Sequence, residues 1–451
     1  MKLTLKHAVA AIVLVLSFSA PVAAGPFEDA IAASHRHDYA TALGFWRQLA
    51  DQGDARAEFF LGAMYAEGLG VSQDRAEAIK WYRLAADQGY ADAQYNLGAM
   101  YAEGHGVSQD YAEAMKWYRL AASQGFAGAQ YALGLMYENG RGVPQNYAEA
   151  VRWYRFAASQ GFALAQYDLG FMYHKGWGVP QNYAEAMKWF RLAADQGVAS
   201  AQNLLGLMYE NGQGVPQNYA EAAKWYRLAA DQGVASAQTN LGLMYGKGQG
   251  VTQNYAEAVK WFRLAADQGV ASAQNLLGLM YENGQGVPQN YAEAAKWYRL
   301  AADQGVASAQ YALGLMYGKG QGVTQNYAEA VKWFRFAADQ GDASAQYALG
   351  LMYGKGQGVT QNYAEAVKWF RFAADQGDAS AQYALGLMYG NGRGVPHDYV
   401  SAHMWFNLSA ARGIQNAVKV RDEVAKHMTP AEIAEAQKLA REWKPTMQPH
   451  R

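Results

Sequence analysis

Residues 198–233 read VASAQNLLGLMYENGQGVPQNYAEAAKWYRLAADQG, and the same thirty-six letters return unchanged at residues 270–305. Eight looser copies fill the remainder of residues 54–413, so the chain carries ten tandem units of one length. A unit this short cannot bury its apolar face alone, and neighbours must stack to build a continuous core. This periodicity overrides the several domains that 451 residues would otherwise suggest, and the reading is one continuous array.

The copy at residues 90–125 shows how a unit is built. Ala93, Leu97, Met100 and Tyr101 recur at helical spacing with Gly98 on the same face, which predicts a helix A over about residues 91–102. A glycine inside a helix costs about 1 kcal/mol against alanine. All ten copies keep it, from Gly62 to Gly386, and close approach of a neighbouring helix is the expected reason. Gly104-His105-Gly106-Val107 follows, with Gly104 suited to the left-handed residue that ends a helix, Gly106 to the turn and Val107 to a return into the core.

Helix B opens on Asp110, or on an asparagine such as Asn146, with Glu113 or Glu149 three residues later; this is the pattern of a capping box. Ala114, Trp117, Ala121 and Ala122 are expected to face the core, while Glu113, Lys116 and Arg119 form a charged stripe.

The combined pattern of A-x-A-x-x-x-L-G-x-M-Y, G-x-G-V, A-x-x-W and A-A-x-x-G resembles the Sel-one-like repeat family, helical-hairpin relatives of the tetratricopeptide repeat, and it does so across residues 54–413 without a gap. The resemblance implies an all-α fold, an α/α superhelical solenoid of 36-residue helix-turn-helix repeats. It also implies adaptors of the kind that serve in envelope assembly, signalling and host contact.

The ends are read separately. In residues 1–24, Lys2 and Lys6 precede an apolar run at residues 8–18 that is too short to span a bilayer, and Val22-Ala23-Ala24 offers small residues for cleavage; this is the form of a secretory signal. Residues 25–53 match only the second half of a repeat, with Phe45 in the tryptophan position, and are expected to be a lone helix B that caps the first full repeat. Over residues 414–451, a helix beginning at Gln415 is followed by Thr429-Pro430-Ala431-Glu432, a capping box with proline at N1. Ile433, Ala436, Ala440 and Trp443 then form an apolar stripe suited to sealing the last repeat, and residues 445–451 read as a frayed tail.

Composition narrows the function. Without Lys2 and Lys6 the chain has 36 basic and 39 acidic residues, a net charge of −3, spread through the repeats with no basic block to neutralise a run of phosphates; nucleic acid is not an expected partner. No later segment is long and apolar enough to be a membrane helix. With no cysteine there is no disulfide, thiolate metal site, catalytic thiol or cysteine lipid anchor, and the expected location is periplasmic or secreted, with the protein a monomer.

Chemistry-bearing motifs are absent or explained by the repeat. Glycine pairs such as Gly104 and Gly106 follow a helix rather than a strand, so they read as turns and not as a phosphate cradle. The histidines, among them His35, His37, His105, His174, His397 and His403, form no ligand set, and neither metal nor cofactor is expected. Glu113, Glu149 and Glu185 recur as caps rather than as a catalytic pair, and no serine lies in G-x-S-x-G. Some cysteine-rich members of the resembled family bind or hydrolyse β-lactams; this leaves a cell-wall (peptidoglycan or β-lactam) binding protein or hydrolase as the alternative to a non-enzymatic scaffold.

The scaffold reading requires a surface. On helix A the positions of Asp92, Tyr95 and Ala99 vary between copies, and tandem helical hairpins usually turn helix A to the concave side. The residues expected to line a groove for a protein or peptide are Tyr95, Tyr131, Leu135, Tyr167, Phe171, Asn203 and Thr239, together with Trp177 in the loop His174-Lys175-Gly176-Trp177, where an exposed aromatic beside cations has the composition of a binding hot spot.

Overall fold

The computed structural model describes residues 25–446, so the signal-like residues 1–24 and the end of the tail lie outside the described residues. Among the described residues there are 24 helices and no strand. The chain divides into two compact units, one ending at Asn218 and one beginning at Tyr219. The first holds α1 (Pro26–His35), α2 (Tyr39–Ala50), α3 (Ala55–Glu67), α4 (Arg75–Asp87), α5 (Ala91–Glu103), α6 (Tyr111–Ser123), α7 (Ala127–Asn139), α8 (Tyr147–Ser159), α9 (Ala163–Lys175), α10 (Tyr183–Asp195) and α11 (Ala199–Asn211).

The second unit continues with α12 (Tyr219–Asp231), α13 (Ala235–Lys247), α14 (Tyr255–Asp267), α15 (Ala271–Asn283), α16 (Tyr291–Asp303), α17 (Ala307–Lys319) and α18 (Tyr327–Asp339). It ends with α19 (Ala343–Lys355), α20 (Tyr363–Asp375), α21 (Ala379–Asn391), α22 (Tyr399–Ala411), α23 (Gln415–Ala425) and α24 (Pro430–Glu442).

In the worked repeat, α5 is helix A and α6 is helix B. Leu97 and Met100 are fully buried, and a Cβ placed on Gly98 would lie 2.8 Å from Cδ1 of Tyr118, so the glycine is there because helix B comes that close. Gly104 takes the left-handed conformation at φ 71° and ends α5, while Gln109 Nε2 donates to the carbonyl of Ala102 at 2.7 Å and satisfies one of its last acceptors. Gly106 does more than turn the chain. A Cβ there would sit 2.8 Å from the backbone of Arg75, so this loop also packs on the start of the preceding helix B.

One expected detail is corrected. Asp110 does cap α6, accepting from the amides of Ala112 and Glu113 at 2.9 and 3.0 Å, but Glu113 does not reach back to close a capping box. The Asp110 amide is already donated to the carbonyl of Tyr101 at 2.9 Å, so the glutamate instead pairs with Lys116 at 3.5 Å. Asn146 repeats the arrangement, with its amide on the Tyr137 carbonyl at 2.8 Å and Glu149 paired to Arg152 at 3.4 Å.

Burial follows the expected faces with one shift. Trp117 is buried, but Trp81, Trp153 and Trp189 are only partly so; the ring that fills the hairpin completely is the next residue, as at Tyr82, Tyr154 and Phe190. Neighbouring repeats are joined by polar contacts as well. Arg155 donates to the phenol of Tyr173 at 2.7 Å, and the buried Gln130 donates to the Ala122 carbonyl at 3.3 Å while accepting from Gln160 at 2.7 Å.

The N-terminal cap is a full hairpin rather than a lone helix. Pro26 at N1 and Gly25 as N-cap start α1, Ala30 and Ala33 are buried, and Trp46, one place after Phe45, fills the core. The sequence pattern missed α1 because the G-x-G-V loop is replaced by a tight turn through His37 at φ 61°. At the other end Thr429 and Glu432 form the expected capping box, Ala436 and Ala440 are buried, and Trp443 meets Trp405 edge-on at 6.4 Å.

Candidate functional site

The residues expected to line a groove fall into three environments. Tyr95, Tyr131 and Tyr167 turn toward helix B, with ring centroids 5.7, 5.7 and 5.9 Å from Tyr118, Tyr154 and Phe190. Tyr131 is only 8% exposed, because Phe162 of the next repeat also covers it at 5.1 Å. Thr239 is 7% exposed and returns its hydroxyl to the Ala235 carbonyl at 2.9 Å. Neither is open to a partner, and the expectation of an exposed groove is corrected at both; Tyr95, Leu135, Tyr167 and Asn203 are half-buried.

Phe171 and Trp177 are brought together. Trp177, 38% exposed, stacks on Tyr147 with centroids 5.2 Å apart and planes 26° apart, and Phe171 meets its edge at 5.6 Å. Lys175 Nζ stands 5.6 Å from the Phe171 centroid, within cation–π range. Other repeats place leucine or alanine where Phe171 stands, and leucine, histidine, arginine or glutamine where Trp177 stands, so this aromatic cluster occurs once in the array.

The same helix as Phe171 carries an uncommon carboxyl. Asp168 of α9 occupies a position held by Ala132 and Leu204 in adjacent repeats. Burial pushes its pKa up to about 7, with the nearby Glu138 charge adding to the rise and the hydrogen bond with Tyr131 opposing it. The Tyr154 hydroxyl donates to Glu138, and burial raises its pKa strongly. His174 is shifted down, by burial first and then by the charge of Lys175.

A second surface was not foreseen. In eight of the ten repeats the position three residues after the helix B tryptophan is an exposed apolar side chain, Leu84, Leu120, Phe156 and Leu192 in the first unit and Leu228, Leu264, Leu300 and Phe336 in the second, whereas Phe372 is half-buried and Leu408 buried. The signal was legible, since W-x-R-L or W-x-R-F recurs at every one of these sites beside alanines that take the core. Among the described residues no group of three His, Asp or Glu side chains comes together as metal ligands, and no helix is long and apolar enough to cross a membrane.

Stacked helical hairpins with fixed cores and varied surfaces define an α/α repeat solenoid. The chain belongs to the Sel1 repeat family: the family model matches residues 34–54 and then ten consecutive segments, from 55–90 to 379–414. Among solved structures it is similar to a protective antigen present in uropathogenic Escherichia coli strains that displays an SLR fold, with 36% identity over 92% of this chain and 91% of that one at a TM-score of 0.86. It is also similar to a Sel1 repeat protein from Oxalobacter formigenes, at 35% identity and a TM-score of 0.54, over 76% of this chain and 99% of that one. No curated protein matches the chain.

Proposed function

We propose that the protein is an exported, non-enzymatic scaffold that holds a protein or peptide partner on its repeats, periplasmic or secreted and acting as a monomer. Sel1 repeat proteins are generally protein-interaction scaffolds, and the signal-like residues 1–24 support export. The observation that carries the reading is the Phe171–Trp177–Tyr147 cluster, a solvent-facing aromatic group in an array whose other repeats lack it. Exposed aromatics set in a rigid surface are the usual anchors of protein interfaces.

The test restores the ordinary repeat. Phe171→Leu with Trp177→Gln gives this repeat the side chains found at Leu207 and Gln213, so the hairpin is expected to fold with an unchanged circular dichroism spectrum. Capture of the partner from the exported fraction should fall by roughly tenfold or more. Undiminished capture would count against this cluster as the contact surface.

A further inference from the structure

The ten repeats act as controls for one another, and several departures converge on one patch of the first unit. Position 152 is arginine where eight repeats have lysine; Ser123 and Ser159 stand where seven others have aspartate, four residues after the helix B arginine. Consequently α6 carries Glu113 against Lys116 and Arg119, and α8 carries Glu149 against Arg152 and Arg155, whereas α10, α12, α14, α16, α18 and α20 are each balanced. Glu149 is engaged by Arg152 at 3.4 Å, and Arg155 holds a phenol, that of Tyr173, rather than a carboxylate. Among the described residues no carboxylate forms an ion pair with Arg119 or Arg155.

The same patch has a cleft. This open cleft, of about 340 Å³, is lined by Ala148, Val151, Arg152, Arg155, Phe156, Gly178 and Val179. Phe156, 45% exposed, meets Trp153 edge-on at 5.7 Å, and the Arg152 guanidinium lies 6.0 Å from the Phe156 centroid. Gly178 follows Trp177 in the chain, and Ala148 follows Tyr147, so the cleft adjoins the aromatic stack.

We infer that this patch is a docking site for an acidic peptide segment with a large apolar side chain, the carboxylates meeting Arg152 and Arg155 and the apolar group entering the cleft beside Phe156. The one positive charge in excess on α8, with Arg152 shared with Glu149 and Arg155 held by a phenol, sets the sign of the partner's charge, and the apolar floor supplies the anchor that exposed ion pairs alone would not. The inference rests on the scaffold reading and adds the partner's chemistry to it.

The experiment uses the full chain and a short fluorescein-labelled peptide of alternating aspartate and phenylalanine, read by fluorescence anisotropy. Its lysine-for-aspartate and alanine-for-phenylalanine counterparts are the controls. The acidic apolar peptide should bind, more weakly as salt rises, and each counterpart should bind at least about tenfold more weakly. Arg152→Glu with Arg155→Gln should weaken binding roughly tenfold or more.

Ser123→Asp with Ser159→Asp, which restores residues present in other repeats, should weaken binding about threefold without disturbing the fold. Lys296→Glu with Arg299→Gln, the same changes on α16, should leave it within about twofold. Equal binding of the lysine peptide, or an equal loss from the α16 variant, overturns the inference. Absence of peptide binding together with cluster-dependent capture of a partner overturns it while leaving the scaffold reading standing; loss of both removes the two together.

Discussion

Gln304, just past the end of α16, donates its side-chain amide to Gln274 of α15 at 2.8 Å, and Gln274 passes its own amide on to the Ala266 carbonyl of α14 at 3.1 Å. One buried glutamine thereby joins three consecutive helices. The link recurs with Gln166, Gln238, Gln310 and Gln346. At the two ends of the series the pairing changes chemistry: Gln88 donates to Glu58 at 2.7 Å, and Arg412 reaches Gln382 at 3.5 Å.

Replacing Gln274 by leucine keeps the volume but removes two buried hydrogen bonds, leaving the Ala266 carbonyl to the Gly269 amide at 2.9 Å and the Gln304 side-chain amide to the Leu300 carbonyl at 3.3 Å. The expected cost is about 1–3 kcal/mol, read as faster amide exchange in α14 to α16 with the distant α20 to α22 unchanged. Uniform loosening of the whole unit would contradict nearest-neighbour coupling.

Two glycines of α13 should respond in opposite directions to alanine. At Gly242 the new Cβ would stand 2.6 Å from Cδ1 of the buried Phe262, and overpacking of this kind costs about 1–3 kcal/mol. Gly246 has nothing nearer than the Ala258 Cβ at 4.0 Å, so alanine there should stabilise by about 0.5–1 kcal/mol through helix propensity. Chemical denaturation of the two variants checks the pair.

Much of this was legible in the sequence, and the misses have a common cause. Helical spacing identified the buried Leu97 and Met100, and the recurrence of Gly98 pointed to the close helix it meets. Spacing within one helix does not register what the next repeat covers. Tyr131 and Thr239 therefore looked available, and the linking role of Gln130 went unnoticed although glutamine recurs there in nine repeats. Trp177 was identified as a candidate from composition alone; its stacking on Tyr147, thirty residues earlier, depends on the packing of one loop against the preceding repeat.

Asp168 sets a pH dependence. Its folded-state pKa of about 7 lies above the unfolded value near 3.9, so the folded chain holds the proton more tightly, and the group's contribution is greatest below about pH 4 and lost as pH rises toward about 7. Asp168→Asn removes that titration. The melting temperature of the variant relative to the natural chain should rise between about pH 4 and pH 7 and then level off. A difference that stays constant with pH would contradict the raised pKa.

Removing residues 270–341 excises two whole repeats and joins Gly269 to Asp342, a junction equivalent to the one between Gly269 and Val270. The shortened chain should fold, with helical content per residue unchanged by circular dichroism and a cooperative melt. An unfolded product would show that the repeats are not interchangeable.

The central claim, that partner contact concentrates where one repeat departs from the others, is tested most directly by photo-crosslinking from a benzoylphenylalanine placed at position 177 of the full chain in its host cell. The comparison is the same probe at position 285, the equivalent loop site occupied by Gln285. A discrete adduct from position 177, with little or none from 285, is the expected result. Equal adducts from both positions, or an adduct from 285 alone, would contradict it.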